Sequence, residues 1–452
     1  AEPPLVHHAT GARYTTVSTA SGAYQISGLR PGGPNTISIA NTYIRAENVY
    51  LNNSTPGVVN LAEPGGVLEE VVVSGVRQVG GMRMGASTLI DNQTLNEAAS
   101  IARDFKNVIR QDPRVTLDPA NSNAISIGGV NNRYNSLTVD GVRQNDEFGL
   151  NQSGYPTQRS PLSMDAIEQI SIETAPFDVE YGGFQGGTVN IVTRSGTNEW
   201  HGSGYYFKTD DSMVGDKSEE RDIDLGEFEE EYLGATLSGP IIKDRLWFFF
   251  SYEEFTGSDP DATLFCPEDR SCANPIPGVT TADVAEITAI SQSVYGYDPL
   301  ALFTGATDIT DEKWLAKVDW QVNDNHNVSV TYQYVDGVDL IDQGNSTFSR
   351  RLGLPSNFYD RGETMTAVSA QWFSRWTDSF STEFKVGYKH IENLQDPIGG
   401  MEFAQMEVVL ASGGSILFGR DEFSHANYLM TDNLQFKAQA DYAWGDHVTT
   451  LG

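Results

Sequence analysis

Residues 433–444 read "NLQFKAQADYAW". Leu434, Phe436, Ala438, Ala440, Tyr442 and Trp444 alternate with Asn433, Gln435, Lys437, Gln439 and Asp441. A period of two marks a strand whose two faces meet different surroundings. The same alternation runs through 326–335, where Val328, Val330, Tyr332 and Tyr334 oppose Asn327, Ser329, Thr331 and Gln333. It returns at 380–391, where Phe380, Phe384, Val386 and Tyr388 oppose Ser381, Glu383, Lys385 and Lys389. Lysines, amides and acids along one face imply water behind it. A soluble sandwich also has one apolar face, so alternation alone does not decide between a sandwich and a barrel.

The connections decide. Strands are expected near 201–209, 231–238, 246–256, 313–322, 326–335, 364–376, 380–392 and 428–443, and "HVTTLG" (447–452) starts a ninth. Short turns at "GPIIKD" (239–244), "NDN" (323–325), "TDS" (377–379) and "GD" (445–446) alternate without exception with long segments near 210–230, 257–312, 336–363 and 393–427. Outer-membrane barrels have short periplasmic turns and long outer loops; a soluble sandwich has no reason to keep such a rule. Trp372, Trp376, Tyr388, Tyr442 and Trp444 near strand ends suit interfacial girdles. The expected fold is mainly β, a transmembrane antiparallel β-barrel. An eight-stranded barrel is filled by its own side chains, whereas one of about 22 strands holds a plug. An open eight-strand sheet would leave an unpaired edge in lipid. The expectation is that 201–452 supplies the first eight or nine strands of a longer protein, around an α+β plug at 81–200. No long apolar window occurs, so no transmembrane helix is expected, which does not speak against a barrel.

The 452 residues include 44 glycines and carry a formal charge of -32, which predicts several domains and excludes an ordinary nucleic-acid footprint. Acid is concentrated in "DKSEERDIDLGEFEEEY" (216–232), either a solvated loop or an acidic mouth. Cys266 and Cys272 in "LFCPEDRSCANP" suggest a disulfide-closed loop in an oxidising compartment and make a poor zinc site. Within the same long segment, "TADVAEITAISQSVYG" (281–296) reads as helix. "DGVDLIDQGN" (336–345) offers oxygen ligands for Ca²⁺ off the EF-hand spacing, against the plainer reading of a polar loop. No other cofactor and no metal are expected. No G-x-S-x-G, H-E-x-x-H or P-loop occurs, so the chain is not expected to be an enzyme.

Residues 1–60 carry short strand segments and read as part of a small β-sandwich. Residues 61–80 read as a linker, and "SIARDFKNVIRQDPRV" (100–115) as an amphipathic helix with Ile101, Phe105, Val108 and Ile109 on one side. "SGAYQISGLRPGGPNTISI" (21–39) resembles the carboxypeptidase-regulatory-like domain at the periplasmic end of some outer-membrane receptors.

Two blocks in 81–200 resemble the plug of TonB-dependent outer-membrane transporters. "ISIGGVNNRYNSLTVDGVRQND" (125–146) is similar to the family's "IxIRG"-type strand followed by a "VDGVPxND"-type hairpin, and places plug residues at Gly128, Gly129, Val139, Asp140, Gly141, Asn145 and Asp146. Gly128 stands where the family commonly has arginine, so no role of that arginine carries over. "IEQISIETAPFDVEYGGFQGGTVNIVTRSG" (167–196) is similar to the block that closes the plug, with Pro176, Tyr181, Gly182, Gly186, Gly187 and Asn190 at matching positions. Gly182, Gly183, Gly186 and Gly187 allow tight turns and close backbone packing. "VDG" (139–141) is a turn signal. A small soluble α+β domain is the plainer alternative. The wording looks more like the Oar-like subgroup than the Sus-type glycan importers.

In this setting Glu69, Glu70, Val71, Val72, Val73, Ser74 and Gly75 match the TonB box. β-branched valines favour an extended chain, which can add as a strand to a sheet edge of another protein. The alternative is a strand internal to the front domain or plug. The resemblance implies TonB-dependent active transport of a bulky ligand (a peptide, protein or glycan) across the bacterial outer membrane. A surface adhesion or docking protein without import is the second reading. The implied partners are the TonB periplasmic domain, outer-membrane lipids and a surface lipoprotein or peptide/protein ligand. The front domain and TonB box would lie in the periplasm and the long loops outside the cell.

Overall fold

The computed structural model describes all residues except 1–3, 9–12, 17–23, 25, 27–28, 41–43, 52–58, 60, 62–85, 99, 101, 119–122, 152, 175–181, 216, 219–220, 223–227, 259–264, 271, 273, 301–307, 343, 424–426 and 445–446. The stretch 69–75, Ile101, Pro176 and Tyr181 lie outside the described residues.

Four strands form the front domain: β1 (Pro4–His7), β2 (Arg13–Thr15), β3 (Gly32–Ser38) and β4 (Arg45–Leu51), in the order β2-β1-β3-β4. Leu5, Tyr14 and Ile37 make a small core, with Val59 and Leu61 packed against it.

The plug follows. Its main sheet takes β5 (Ala86–Asp91), β8 (Ser136–Val139), β9 (Val142–Arg143), β10 (Ile167–Thr174) and β11 (Gly187–Thr193) in the order β5-β10-β11-β8-β9, with β11 and β8 parallel. β6 (Val115–Asp118) and β7 (Ala124–Ile127) form a separate hairpin. Helix α1 (Asn92–Glu97) is capped by Asp91, which accepts from the Thr94 amide at 2.9 Å. The helix expected over 100–115 shrinks to α2 (Lys106–Ile109). Arg103 is left-handed, with φ of 47°. The Ser100 hydroxyl takes the Asp104 amide at 3.0 Å, and the Asp104 carboxylate takes the Lys106 amide at 2.9 Å. Side chains that bond nearby backbone in this way compete with helix. Phe105, Val108 and Ile109 still enter the core, beside Ile127, Ile170, Ile172 and Ile191.

Nine strands then meander: β12 (His201–Asp210), β15 (Glu229–Ile242), β16 (Leu246–Ser258), β19 (Asp308–Asn323), β20 (His326–Ile341), β22 (Tyr359–Thr377), β23 (Phe380–Pro397), β26 (Tyr428–Trp444) and β27 (His447–Leu451), each antiparallel to the next. The long connections hold small strands of their own, namely β13 (Lys217–Ser218), β14 (Arg221–Asp222), β17 (Phe265–Pro267), β18 (Asn274–Ile276), β21 (Arg351–Gly353), β24 (Met406–Val409) and β25 (Ser415–Phe418). Several strands run further toward the long loops than expected. Asp336–Ile341, part of the 336–345 stretch weighed as a polar loop or a Ca²⁺-holding turn, pairs in the ladder with 359–364. The turn expected over 239–244 narrows to 243–245, because Gly239 and Pro240 pair with Phe248 and Trp247 and the register shifts just after Pro240. A bulge is one of the few sheet positions that tolerates proline.

The polarity of this sheet is inverted. Leu434, Phe436, Val330, Tyr332 and Trp372 are exposed, while Lys317, Asp319, Gln333, Gln371 and Lys389 are buried. The outward side is banded: Tyr252, Trp314 and Tyr334 share one row across the strands, and Trp320, Val328 and Trp372 another row nearer the short turns. The polar face does not look onto water alone, as its composition implied; it is covered by the plug.

Over the long-loop end sits a lobe with its own core of Ile276, Val279, Ile287, Leu352, Leu354, Ile416 and Phe418. β21 pairs parallel with β25, joining two long loops. Helix α3 (Thr281–Tyr295) fills the expected 281–296, starting in a Thr280/Asp283 capping box and ending at left-handed Gly296. Cys266 and Cys272 are joined.

Candidate functional site

The plug is seated through the turn at 139–141. Asp140 and Gly141 both have positive φ, 48° and 77°, as a two-residue hairpin between β8 and β9 requires. That turn drives the Asp140 carboxylate into the barrel wall, where the residue is only 2 % exposed. It accepts from the Thr193 amide at 3.0 Å, the Thr193 hydroxyl at 2.6 Å and the Thr331 hydroxyl at 3.1 Å, and it pairs with Lys317 at 3.4 Å. The Lys317 ammonium also donates to the Thr193 carbonyl at 3.1 Å, and Gln371 donates to the Asp140 carbonyl. One plug residue thus joins β11 to three wall strands. At Gly141 an added Cβ would lie 2.9 Å from the Lys385 ammonium.

From this seat the chain climbs the wall toward the long loops. The Gln435 side-chain amide brackets Arg143, accepting from its N–H at 2.9 Å and donating to its carbonyl at 3.0 Å, as a neighbouring strand would. Gln144 donates to Gln333 at 2.7 Å, and Gln333 donates to the Pro161 carbonyl at 2.6 Å. Lys389 donates to the Asn145 carbonyl at 2.8 Å and pairs with Glu147 at 3.3 Å. Near the strand ends Asn151 donates to both oxygens of Glu363 at 3.0 Å, and Arg361 reaches the Leu150 carbonyl at 3.2 Å. A second anchor gathers around buried Glu253 on β16. It accepts from Arg103 at 3.1 Å, Ser163 at 3.0 Å and Tyr205 at 2.5 Å, and Lys313 pairs with it at 3.3 Å. Among the described residues, Phe249 and Leu315 of the wall join the plug's apolar core.

The remaining predicted plug residues organise the plug itself. Val139 is in its core. Asn145 accepts from the Leu137 amide at 3.0 Å and donates to the Asn135 carbonyl at 2.8 Å. The Asp146 carboxylate gathers the amides of Phe148, Gly149 and Asn151 at 3.1, 2.8 and 2.8 Å. Asn190 accepts from Thr138 at 2.5 Å. Gly128 and Gly129 make a left-handed pair after β7. Gly186 admits no side chain, since a Cβ there would meet the Asn135 carbonyl oxygen of its side chain at 2.3 Å and the Ile127 backbone oxygen at 3.2 Å, whereas Gly182 faces open space. Lys317, Thr331, Gln371, Lys389 and Gln435 were visible in sequence only as a polar strand face, with nothing to mark them as the plug's partners.

At the other end of the plug, Arg114 grips Asp112 through its amide and Nε, both at 2.9 Å, and donates to Thr88 on β5 at 2.6 Å. Hydrogen bonds from Arg114 hold the Asp112 carboxyl down to about 2. A depressed carboxyl stabilises the fold above its unfolded value of about 3.9, and that contribution is lost as pH falls through the folded value. The protection of β5 amides, taken relative to the intrinsic exchange rate at each pH, is therefore expected to fall between pH 4 and about 2, and an Asp112→Asn variant to flatten that dependence.

This geometry has relatives. Residues 192–451 match the outer membrane beta barrel domain family, and residues 83–189 match the TonB-dependent receptor plug domain. The chain belongs to the TonB-dependent outer-membrane receptors. It is similar to the TonB-dependent transporter Oar of Myxococcus xanthus, at 29% identity over 70% of this chain and 30% of that protein. It is also similar to the probable TonB-dependent siderophore receptor PirA of Acinetobacter baumannii, at 27% identity over 43% of this chain and 26% of that one. The chain spans less than a third of the length of these curated relatives. Among solved structures, the outer membrane transporter YddB from Escherichia coli superposes with a TM-score of 0.54 at 12% identity, covering 79% of this chain and 45% of YddB. The A. baumannii PirA structure gives 0.50 at 17%, covering 80% and 45%. The receptor fold places the protein in the outer membrane.

Proposed function

We propose that the whole protein is an energised transporter that takes a bulky ligand, a peptide, protein or glycan, across the outer membrane under the pull of TonB at residues 69–75. The observation that carries this reading is the polar seat of the plug. Apart from Phe249 and Leu315, the wall contacts named above are made by polar groups, namely amides, carbonyls, hydroxyls, carboxylates, ammonium and guanidinium groups, which water can replace at little net cost. A plug held in this way is firm at rest and can be drawn aside without exposing a second apolar core. The lobe over the long-loop end, tied by β21–β25 pairing and a disulfide, supplies a pre-formed outer surface for a large ligand. A siderophore is the second reading, favoured by the relative named a probable siderophore receptor.

The test is binding of the purified TonB periplasmic domain. Wild type is expected to bind, and Val72→Pro, which removes a backbone donor from an added strand, is expected to abolish it. Binding that survives the substitution would show that 69–75 is not the handle. Indifference of function to deletion of 69–75 would favour adhesion or docking.

A further inference from the structure

The front domain touches the rest of the molecule through polar groups, among them the hydroxyl of its core residue Tyr14 and the guanidinium of Arg30. Arg30 pairs with Asp319, and both are buried. Asp319 lies on the inner face of β19 and also accepts from Ser329 at 2.8 Å. Around this pair, Tyr14 donates to Gln321 at 3.4 Å, and Arg375 donates to the Thr15 carbonyl at 2.5 Å. From the plug, Gln169 donates to the Leu51 carbonyl at 2.9 Å. Gln321 and Arg375 sit beside the short turns at 323–326 and 377–380, so the contact is with the periplasmic rim. Asp319 stands two positions from Lys317 on the same strand face. Front domain and plug therefore grip neighbouring charges of one wall strand.

We propose that the front domain is a clamp, seated on the periplasmic rim by Arg30 on Asp319, and that engagement of residues 69–75 by TonB competes with that seat. The inference rests on the transporter reading above. Leu61 packs in the front core, and Ala86 opens the first plug strand. Glu69 is separated from Leu61 by at most about 30 Å of extended chain. A partner that holds 69–75 must work beside the seated domain, and its pull is divided between the plug on one side and the clamp on the other. Buried charges make the seat two-state: breaking the pair strands a charge unless the domain moves away and both groups hydrate.

The test uses the full chain in lipid, with two readouts on each variant: hydrogen exchange of residues 13–15 and 45–51, and affinity for the TonB periplasmic domain. Arg30→Gln is expected to speed exchange in both segments and to tighten TonB binding about tenfold, a usual size for coupling between two sites. The swapped pair Arg30→Asp with Asp319→Arg is expected to restore both. Arg375→Ala removes a rim contact without stranding a buried charge, and is expected to shift both readouts the same way by a smaller factor. Unchanged exchange in Arg30→Gln and Arg375→Ala overturns the clamp. Faster exchange with unchanged TonB affinity overturns the competition. If TonB binds no variant while exchange still answers to Arg30→Gln, the transporter reading falls and the clamp stands as a structural seat alone.

Discussion

Replacing Asp140 with alanine is expected to unseat the plug. The substitution removes four contacts at once, from the Thr193 amide and hydroxyl, the Thr331 hydroxyl and Lys317. It leaves the Lys317 ammonium buried in the wall, still donating to the Thr193 carbonyl and hydroxyl at 3.1 and 3.0 Å. Breaking a buried pair from one side costs about 3–5 kcal/mol, because the surviving charge stays buried without compensation. The expected result is faster amide exchange throughout β8, β9 and β11 with the outer rows of the wall unchanged. The double variant Asp140→Ala with Lys317→Met is expected to recover much of the loss, since removing both charges is far cheaper than removing one. A loss below about 1 kcal/mol in the single variant, the scale of an ordinary hydrogen bond, would make the turn a bystander.

That seat also shows where sequence reading runs out. The turn at 139–141 was legible because Val-Asp-Gly is a local signal, and the strand containing Lys317 was legible because alternation is local too. Their meeting across 177 residues is not local, and no periodicity in either segment encodes it. The same limit hid Gln435 beside Arg143 and Arg30 beside Asp319. The polar face of the strands was correctly separated from the apolar one and a plug was expected inside the barrel, but amides and lysines suit water and a polar plug equally well, so composition did not say which of them the plug covers. The helix over 100–115 failed for the opposite reason. Its apolar spacing was real, and Phe105, Val108 and Ile109 do enter the core. Ser100 and Asp104 nevertheless spend their side chains on nearby amides, and the helix survives for a single turn.

The inversion of the sheet gives a second large expectation. In a soluble sheet, changing a half-exposed valine to arginine moves stability by about 0.5 kcal/mol or less. Val330 is 42 % exposed on β20, between the row of Tyr252, Trp314 and Tyr334 and the row of Trp320, Val328 and Trp372. Its surroundings on that side are hydrocarbon, so Val330→Arg is expected to cost about 2–4 kcal/mol when folding is measured in a bilayer. Val338 lies on the same outward face of the same strand, beyond the aromatic row and toward the long loops, paired with Thr310 and Gly362. There the arginine reaches headgroups and water, and Val338→Arg is expected to cost about 0–1 kcal/mol. The difference between the two sites is the informative quantity, because both variants lose the same side chain and gain the same charge. A steep fall in stability at 330 and little change at 338 fixes the height of the apolar band on the wall. Equal, small effects at both positions would mean that the face bearing Val330 is wet, and the assignment of outside and inside would have to be reversed.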